Sequence, residues 1–505
     1  MDRREFCSAS ALALAGQVAG CVARPIPVRD PWASAIPRDA SSTLVNDVHS
    51  QLNATRVHSI VQPRSVAEVQ RVVAEASAAR RSVCVAGGRH AMGGQQFEEA
   101  GVLIDTRQLD RVLAFDPVHG LVTVEGGIQW PALLRHLEDV QPDAAQAWGI
   151  FQKQTGADRL SIGGALACNG HGRGLDLRPM IDQVERITLV DARGELVVAS
   201  RDERPDLFAL AIGGYGLFGV IVSAQLRLRR RVKVRRVVAL EETASIIERF
   251  EQRIEAGHLY GDFQFATDGA RDSFLRRGVF STYEPVPAAT PLTRNPTRFH
   301  PEDWARLTFY SHRYKRRAFE VYTSRYLATS GQIYWSDSQL SAAYVDNYHA
   351  DIDRALRSPV KATEMITELY VPRAALAAFM EDARTLLRER QANVIYGTVR
   401  MIERDHESVL AWATERFACI VLNLHVEHTP AGLEDAAATM RALIDVAIAH
   451  RGSYYLTYHR WATRQQVETC HPRMAEFLAL KRAHDPDEVF ASDWYRHHVR
   501  MFGRG

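Results

Sequence analysis

Apolar and polar residues follow two different periods along the first half of the chain. Between Ser65 and Ala79, valines and alanines recur at helical spacing, which predicts an amphipathic helix with Ser65 as its N-cap. Short apolar runs predict strands at residues 82–86, 102–104, 121–124 and 186–190, and a helical period predicts a short helix over 131–137. The first half is therefore predicted to alternate helices with strands.

The pattern changes after about Leu240. A strand-rich stretch from Gly219 to Leu240 ends in alternating basic and apolar residues, which is typical of a strand with one solvated face. The Pro-rich segment from Pro285 to Pro301 is long enough to be a lid or an insertion. Longer helical periods appear beyond Leu240, at residues 243–257, 374–389 and 433–450. We place a domain boundary near residue 235.

Length and charge narrow the class of protein. A chain of 505 residues is too long for one hydrophobic core, so at least two domains are expected. Lys and Arg total 62 against 60 Asp and Glu, a net charge of +2 that gives no reason to expect binding to nucleic acid or anionic lipid. The 6 cysteines have no regular spacing, which argues against a zinc site or a disulfide scaffold.

The first 23 residues have the pattern of an export signal. Arg3 and Arg4 are followed by Phe6 and a short, weakly apolar run, which resembles a twin-arginine signal. The run ends in Val-Ala-Gly-Cys21, which resembles a lipoprotein processing site with Cys21 as the lipid-bearing residue. We therefore expect an exported protein, periplasmic or anchored to a membrane, with residues 24–55 as linker and N-terminal extension. An ordinary N-terminus with a chance arginine pair is the alternative.

Three glycine-rich stretches, at residues 87–94, 163–174 and 213–219, lie beside apolar strands. Glycine lets backbone amides approach phosphate oxygens closely, so several such stretches in one domain favour a dinucleotide, although each could be only a tight turn. Gly214-x-Gly216-x-x-Gly219 formally matches a Rossmann fingerprint. That fingerprint requires a following helix, whereas the residues from Val220 to Leu226 have a strand pattern. We therefore reject the Rossmann match.

The order of these motifs resembles a known family. Val61-Gln62-Pro63-Arg64-Ser65, then Gly87-Gly88-Arg89-His90, then Ser161-Ile162-Gly163-Gly164, then the stretch ending in Gly219-Val220-Ile221 are together similar to the flavin-binding domain of the vanillyl-alcohol oxidase type, also called PCMH-type. The likeness covers about Val57 to Arg231. Ser161 to Val197, together with the closing segment from Asp485 to Asp493, looks most like the decaprenylphosphoryl-ribose oxidase and sugar-alcohol or aldonolactone oxidase branches.

The resemblance implies an α+β fold. Two α+β subdomains over residues 56–235 would enclose FAD, and a cap domain over 236–465 would carry an antiparallel sheet covered by helices. The C-terminal segment 466–505 would return to the FAD domain.

The same resemblance implies a set of FAD-binding residues. Members with Gly-x-Arg-His bond the matching histidine to the flavin 8α-methyl, so His90 is the candidate for covalent attachment; a structural hydrogen bond is the alternative. Cys168 does not stand where doubly linked relatives carry a second attachment, which favours a structural role within the FAD site. The candidate cofactor-binding residues are Gly87, Gly88, Arg89, His90, Ala91, Met92, Gly93, Gly94, Gln95, Thr155, Gly156, Ser161, Ile162, Gly163, Gly164, Ala167, Cys168, Asn169, Gly172, Gly214, Gly219, Val220 and Ile221.

The candidate catalytic residues are His171, Glu368, Arg400, Asn423, His425 and Tyr458. His171 matches an active-site histidine of the decaprenylphosphoryl-ribose branch, and imidazole is suited to relay a hydroxyl proton; bracing its loop is the alternative. Glu368 resembles a cap-strand carboxylate directed at substrate hydroxyls, and Arg400 shares a strand face with Thr398. Tyr458 stands where the decaprenylphosphoryl-ribose enzymes carry a lysine.

One strand carries an unusual run of polar residues. Asn423, His425 and Glu427 alternate and so share one face, which suits either a sugar-binding wall or a solvated surface. His425 and His428 have a metal-like spacing, but on a strand they point to opposite faces, so no metal site is predicted.

These features together predict an FAD-dependent oxidoreductase acting on a CH–OH group of a polyol, sugar or sugar derivative. The small Gly170 beside His171 would admit dioxygen and make the protein an oxidase. The alternatives are a dehydrogenase that passes electrons to another carrier, and a non-catalytic sugar- or lipid-binding lipoprotein.

Overall fold

A computed structural model describes residues 43–141, 146–341 and 348–503. The predicted export signal over residues 1–23, with Cys21, and the first part of the predicted linker lie outside the described residues. Across the described part of the chain, no helix has the length and apolar character needed to cross a membrane.

Helices and strands alternate as the residue patterns predict. The strands are β1 (Leu44–Val45), β2 (Thr55–Arg56), β3 (Ser59–Val61), β4 (Val83–Ala86), β5 (Val102–Asp105), β6 (Val112–Asp116), β7 (Leu121–Glu125), β8 (Trp148–Gly149), β9 (Val184–Val190), β10 (Leu196–Ser200), β11 (Val220–Arg227), β12 (Arg229–Arg230), β13 (Lys233–Glu242), β14 (Tyr260–Phe265), β15 (Arg277–Val286), β16 (Ile333–Trp335), β17 (Ala362–Pro372), β18 (Val394–Ile402), β19 (Phe417–Glu427) and β20 (Ser453–Tyr454).

The α-helices are α1 (Val66–Ala78), α2 (Trp130–Asp139), α3 (Ile162–Ala167), α4 (Pro205–Ala211), α5 (Ile246–Glu255), α6 (Pro301–Arg313), α7 (Lys315–Leu327), α8 (Tyr348–Leu356), α9 (Leu376–Glu389), α10 (Pro430–Ala449), α11 (Arg464–Cys470), α12 (Met474–His484) and α13 (Asp493–Phe502).

A small parallel sheet of order β3-β5-β4 begins the half of the chain that is predicted to bind FAD, called the FAD-binding half below. Helix α1 starts at Ser65, whose hydroxyl accepts the Glu68 amide hydrogen as the predicted N-cap. The α1 residues Val69 and Val73 are fully buried against β4 and β5, because helical spacing places them on one face. This strand–helix–strand unit carries the first glycine-rich stretch at the end of β4.

A second, antiparallel sheet has the order β10-β9-β11-β7-β6. Strand β11 follows directly after Gly219, which agrees with the rejection of the Rossmann match. The second glycine-rich stretch is not only a turn, because its residues 163–167 belong to helix α3. Ser161 caps this helix by accepting the Gly164 amide hydrogen, and Gly163 lies where a Cβ would stand 2.9 Å from the Gly126 carbonyl oxygen.

The second half is built on an eight-stranded antiparallel sheet of order β16-β13-β15-β14-β18-β19-β17-β20. Along β17, Met365 and Leu369 pack into the core with helices α9 and α10. Because side chains alternate along a strand, Glu364, Ile366 and Glu368 face the opposite side, over which α6, α7 and α8 lie. The predicted α+β fold, with helices covering an antiparallel sheet, is confirmed.

The two ends of the described chain both contact the first sheet region. The carbonyl oxygen of Val489 accepts the Val83 amide hydrogen, and the Ala491 amide donates back to the Val83 carbonyl. Strand β1 pairs with β2, so residues 43–55, assigned to linker and extension from sequence, carry ordered structure before the parallel sheet begins. These contacts hold the C-terminal segment beside the first glycine-rich stretch.

Candidate active site

A cavity of about 550 Å³ lies between the FAD-binding half and the open face of the cap sheet. All three glycine-rich stretches contribute to its wall, although they are far apart in sequence. The predicted cofactor residues that line it are Gly87, Gly88, Arg89, His90, Ala91, Gln95, Thr155, Gly156, Ser161, Gly163, Gly164, Ala167, Cys168, Gly219 and Ile221. The structure thus brings most of the predicted FAD site together.

The remaining predicted cofactor residues support this wall from behind. The backbone amides of Met92 and Gly93 both donate to the Thr457 carbonyl, which ties the first glycine stretch to the C-terminal part of the chain. The side chain of Asn169 donates to Asp405 at 2.9 Å and accepts the Ile181 amide hydrogen. The others that do not line the cavity are Gly94, Ile162, Gly172, Gly214 and Val220.

The residues of the cavity fit a flavin dinucleotide. Gly156 and Gly216 have φ angles of +105° and +76°, and a Cβ at either position would meet no other atom within 4 Å. Here glycine is needed for the backbone conformation and leaves open space for a ligand. Thr155 Oγ1 and Gln154 Nε2 are buried and have no hydrogen-bond partner among the described residues. A group rich in acceptors and donors, as FAD is, would satisfy them.

His90 lies in the cavity wall beside a second histidine. Its Nδ1 is 2.8 Å from Nε2 of His49, and the two ring centroids are 4.8 Å apart. Burial lowers the pKa of His90 well below its ordinary value, and the adjacent His49 lowers it further. The imidazole is therefore neutral at physiological pH.

A buried carboxylate lies at the centre of the cap side of the cavity. Glu368 Oε2 is 3.0 Å from His171 Nε2 and accepts the Tyr370 hydroxyl at 2.9 Å, while Oε1 accepts the Tyr458 hydroxyl at 3.0 Å. Burial acts to raise the pKa of Glu368, but the charge and hydrogen bond of His171 and the charge of Arg400 outweigh it, so the pKa is lowered. Glu368 is therefore ionised, with three donors around it.

His171 has an acceptor beside each ring nitrogen. Its Nδ1 is 3.1 Å from the Gly172 carbonyl oxygen, and its Nε2 is 3.0 Å from Glu368 Oε2. The side chain is buried, so these two contacts fix the orientation of the ring beside the carboxylate.

Arg400 and Asn423 complete the polar side of the cavity. Both line it, and Arg400 Nε and Asn423 Oδ1 are buried with no hydrogen-bond partner in the described part of the chain. A hydroxylated ligand could accept from the guanidinium and donate to the amide oxygen. The cap sheet therefore presents a carboxylate, a guanidinium and an amide towards the glycine-rich wall.

His425 does not belong to this group. It shares a strand face with Asn423, as predicted, but lies farther along the sheet beside Glu364, and it does not line the cavity. Glu427, the third residue of the alternating set, is exposed. The three polar residues of this β19 face therefore have different surroundings. Asn423 lines the cavity, His425 lies beside Glu364, and Glu427 is exposed to solvent.

Gly170 and Gln154 both line the cavity. A Cβ on Gly170 would lie 2.0 Å from Gln154 Nε2, so the missing side chain lets the Gln154 amide lie close to the backbone beside His171. Access of dioxygen at this point stays a prediction.

Sequence reasoning missed several residues of the site, of which three bear on the chemistry described above. His49 falls in the stretch assigned to linker and extension, Tyr370 lies two residues after Glu368 on the same strand face, and Arg173 lines the cavity next to the His171 loop. The alternation of Glu368 and Tyr370 was a usable signal. Nothing local to His49 indicates that its ring meets His90, 41 residues away.

Comparisons with known proteins agree with this geometry. Residues 57–200 match the family described as FAD binding domain. The chain is 26% identical over 445 residues to L-gulono-1,4-lactone dehydrogenase of Mycobacterium tuberculosis, covering 86% of this chain and 95% of that protein. It is 28% identical over 192 residues to a putative D-arabinono-1,4-lactone oxidase of Neurospora crassa, covering 38% of this chain and 33% of that protein.

A solved structure has the same fold. A solvent-stable cholesterol oxidase superposes with a TM-score of 0.69 and 16% identity, over 90% of this chain and 97% of that one. At that identity the likeness concerns the fold alone.

Proposed function

Because the chain is an FAD-dependent oxidoreductase whose FAD-binding domain fits the vanillyl-alcohol oxidase type, we propose that it oxidises a carbinol carbon of an aldonolactone, polyol or related sugar derivative. The observation that carries the proposal is the buried Glu368 in the cavity wall, held by His171 and Tyr458. The relatives named as lactone dehydrogenase and lactone oxidase support this choice of substrate.

The protein's own residues bind the substrate and take its proton. Bound FAD would accept the hydride of the carbinol carbon. Arg400 and Asn423 orient the hydroxyl groups, and the Arg400 charge stabilises the oxygen as its proton leaves. Glu368 accepts that proton, and His171 and the two tyrosines hold the carboxylate in place.

Steady-state turnover tests this role of Glu368. Reduction of an artificial dye is followed with a panel of aldonolactones, polyols and free sugars. Glu368→Gln keeps the shape but removes the proton acceptor, so kcat is expected to fall by about 10²–10⁴-fold with the flavin spectrum unchanged. Glu427→Gln, on the exposed end of the neighbouring strand, is the matched control and keeps wild-type turnover. Equal turnover in both variants would exclude Glu368 as the proton acceptor.

For the electron acceptor, we favour a carrier other than oxygen. A relative that aligns along 95% of its own length is named a dehydrogenase. Oxygen uptake and dye reduction measured in parallel decide the question. Oxygen consumption at the rate of dye reduction would identify an oxidase.

His90 is our candidate for covalent attachment of the flavin. A neutral imidazole has the lone pair that a bond to the flavin 8α-methyl carbon requires, and the lowered pKa of His90 supports that form. Acid precipitation of the purified protein is expected to leave the yellow colour in the pellet. His90→Ala should release the colour into the supernatant while the protein stays folded. Colour released from the wild type would refute the bond.

Export by the twin-arginine route is proposed from residues 1–23 alone, and with it a lipid anchor at Cys21. Replacement of Arg3 and Arg4 by lysine is expected to keep the flavoprotein in the cytosol. Cys21→Ser should leave export intact and free the protein from the membrane fraction. A wild-type protein found only in the cytosol would contradict the proposal.

A further inference from the structure

A second buried polar cluster lies on the same face of the cap sheet, beyond the cavity. Glu364 on β17 and His425 on β19 are directly opposite each other in the antiparallel register. His312, near the end of α6, and His349, in the first turn of α8, reach this pair from the covering helices. Four elements therefore place three imidazoles around one carboxylate.

The donor atoms of three of these residues converge. One ligand atom each from His312, Glu364 and His425 lies within 4.8 Å of the others. His312 Nε2 is 2.7 Å from Glu364 Oε1, and the His312 and His425 rings stand at 83° with centroids 5.3 Å apart. The side chains of His312 and Glu364 are only 2% and 4% exposed, so water does not solvate them freely.

Contacts within the cluster account for only part of the imidazoles. His312 Nε2 and His349 Nδ1 each lie 2.7 Å from an oxygen of Glu364. His312 Nδ1, His349 Nε2 and His425 Nδ1 are buried with no hydrogen-bond partner among the described residues. Buried polar atoms are normally satisfied, so a group of this kind in a native protein calls for a missing partner.

We propose that His312, Glu364 and His425 bind a divalent transition-metal ion of the zinc type. Two imidazole nitrogens and one carboxylate oxygen are the donor set that such borderline ions prefer over calcium or magnesium, which require oxygen ligands. His349 and the Tyr348 hydroxyl contact Glu364 Oε2 and orient the carboxylate, as residues around a bound metal commonly do. The proposed site is separate from the Glu368 centre and does not depend on the proposed substrate.

The site would fix one wall of the cavity. Helix α6 supplies Trp304, Leu307 and Ser311 to that wall, and His312 follows directly after Ser311. The ion would bind this helix to two strands of the cap sheet, next to the cavity residue Asn423. Its role is therefore to position the covering helix, and its loss is expected to lower stability before it alters the chemistry at Glu368.

Metal analysis of the full-length flavoprotein tests the proposal, with any affinity tag removed first because a histidine tag binds metal. Elemental mass spectrometry is expected to find about one zinc per chain. After stripping with a chelator, calorimetric titration with zinc chloride should show one saturable site and a raised Tm. His312→Ala and His425→Ala should each weaken this binding at least tenfold. His428→Ala, three residues from His425 and outside the cluster, is the matched control and should bind as the wild type does.

Several results would overturn the proposal. One is that the stripped wild-type protein shows no saturable zinc binding. Another is that both His312→Ala and His425→Ala bind zinc as tightly as the wild type does. Zinc binding lost in Cys419→Ser but kept in those two variants would place the ion at the other convergent group, His171, Glu368 and Cys419. If the alanine variants do not fold, as judged by flavin absorption, the titration of stripped wild type still decides.

Discussion

At the scale of single residues, Tyr458 and Tyr370 make equivalent hydrogen bonds to different oxygens of Glu368 but differ in access to substrate. Only Tyr458 lines the cavity. Tyr458→Phe is therefore expected to lower kcat about 10–100-fold, the worth of one hydrogen bond to a charged group, while Tyr370→Phe has the smaller effect. Steady-state kinetics of the two variants, with flavin content as control, make the comparison. A larger loss in Tyr370→Phe would contradict the assignment of Tyr458 to the substrate side.

The lowered pKa of Glu368 gives a stability prediction with a definite sign. In the unfolded chain this carboxyl takes up its proton near its ordinary pKa of 4.5, before the folded protein does. Its contribution to stability is therefore complete above that pH and is lost as the pH falls through the lower folded-state value. The Tm difference between wild type and Glu368→Gln should be constant above about pH 6 and should shrink as the pH falls below about 4.5. A difference that grows on acidification would mean that the folded-state pKa is raised.

Residue types and motif order indicated the catalytic candidates, but not which of them meet. Glu368 and His171 are 197 positions apart, and nothing local to either one encodes the other. His425 was grouped with Asn423 because alternation puts both on one face, which the structure bears out. The antiparallel register of β17 and β19 places His425 opposite Glu364, and α6 and α8 bring His312 and His349 to that pair.

At the scale of elements, the N-cap of α1 is predicted from sequence and is present. Ser65→Ala removes the acceptor for the Glu68 amide hydrogen, so it is expected to lower the free energy of unfolding by about 0.5–2 kcal/mol. Ser65→Asp keeps an acceptor and should restore most of that loss. The measurement is denaturant unfolding, in which the slope of the free energy of unfolding against denaturant concentration should stay unchanged. Equal stability of Ser65→Ala and wild type would show that the cap contributes nothing.

The turn after β7 depends on a close backbone approach. A Cβ on Gly127 would lie 1.8 Å from the Thr106 carbonyl oxygen, an obstacle that cannot move aside as a side chain could. Gly127→Ala is therefore expected to destabilise the FAD-binding half severely and to reduce the yield of yellow protein. Gly269→Ala, where a Cβ meets no atom within 4 Å, is the matched control. Similar flavin yields for the two variants would contradict the packing described for this turn.

Helices and strands with a regular residue period could be predicted from the sequence. Elements that depend on contacts with distant residues could not. Helix α1 follows from its valine spacing, whereas α3 contains Gly163 and Gly164, which disfavour a helix. That helix exists because Ser161 caps it and because the absent side chain of Gly163 lets it approach Gly126. Sequence patterns carry no information on such an approach.

At the scale of the whole molecule, the cavity is formed by both halves, so FAD would contact the glycine-rich wall and lie against the cap sheet. A ligand that binds only the folded protein stabilises it by mass action. If the flavin is not covalently attached, its removal should lower the Tm, and added FAD should restore it in proportion to occupancy. Thermal unfolding with and without FAD is the measurement. An identical Tm would mean that the folded protein does not bind FAD.

The most direct test of the central claim is the rate at which bound flavin loses its absorbance after anaerobic mixing with an aldonolactone or polyol substrate. The yellow wild-type protein is expected to bleach in one fast phase, and Glu368→Gln at equal flavin content at least about 100-fold more slowly. Two results would contradict an FAD-dependent oxidoreductase centred on Glu368. One is a purified protein that is colourless and cannot take up FAD, and the other is a Glu368→Gln variant that bleaches at the wild-type rate.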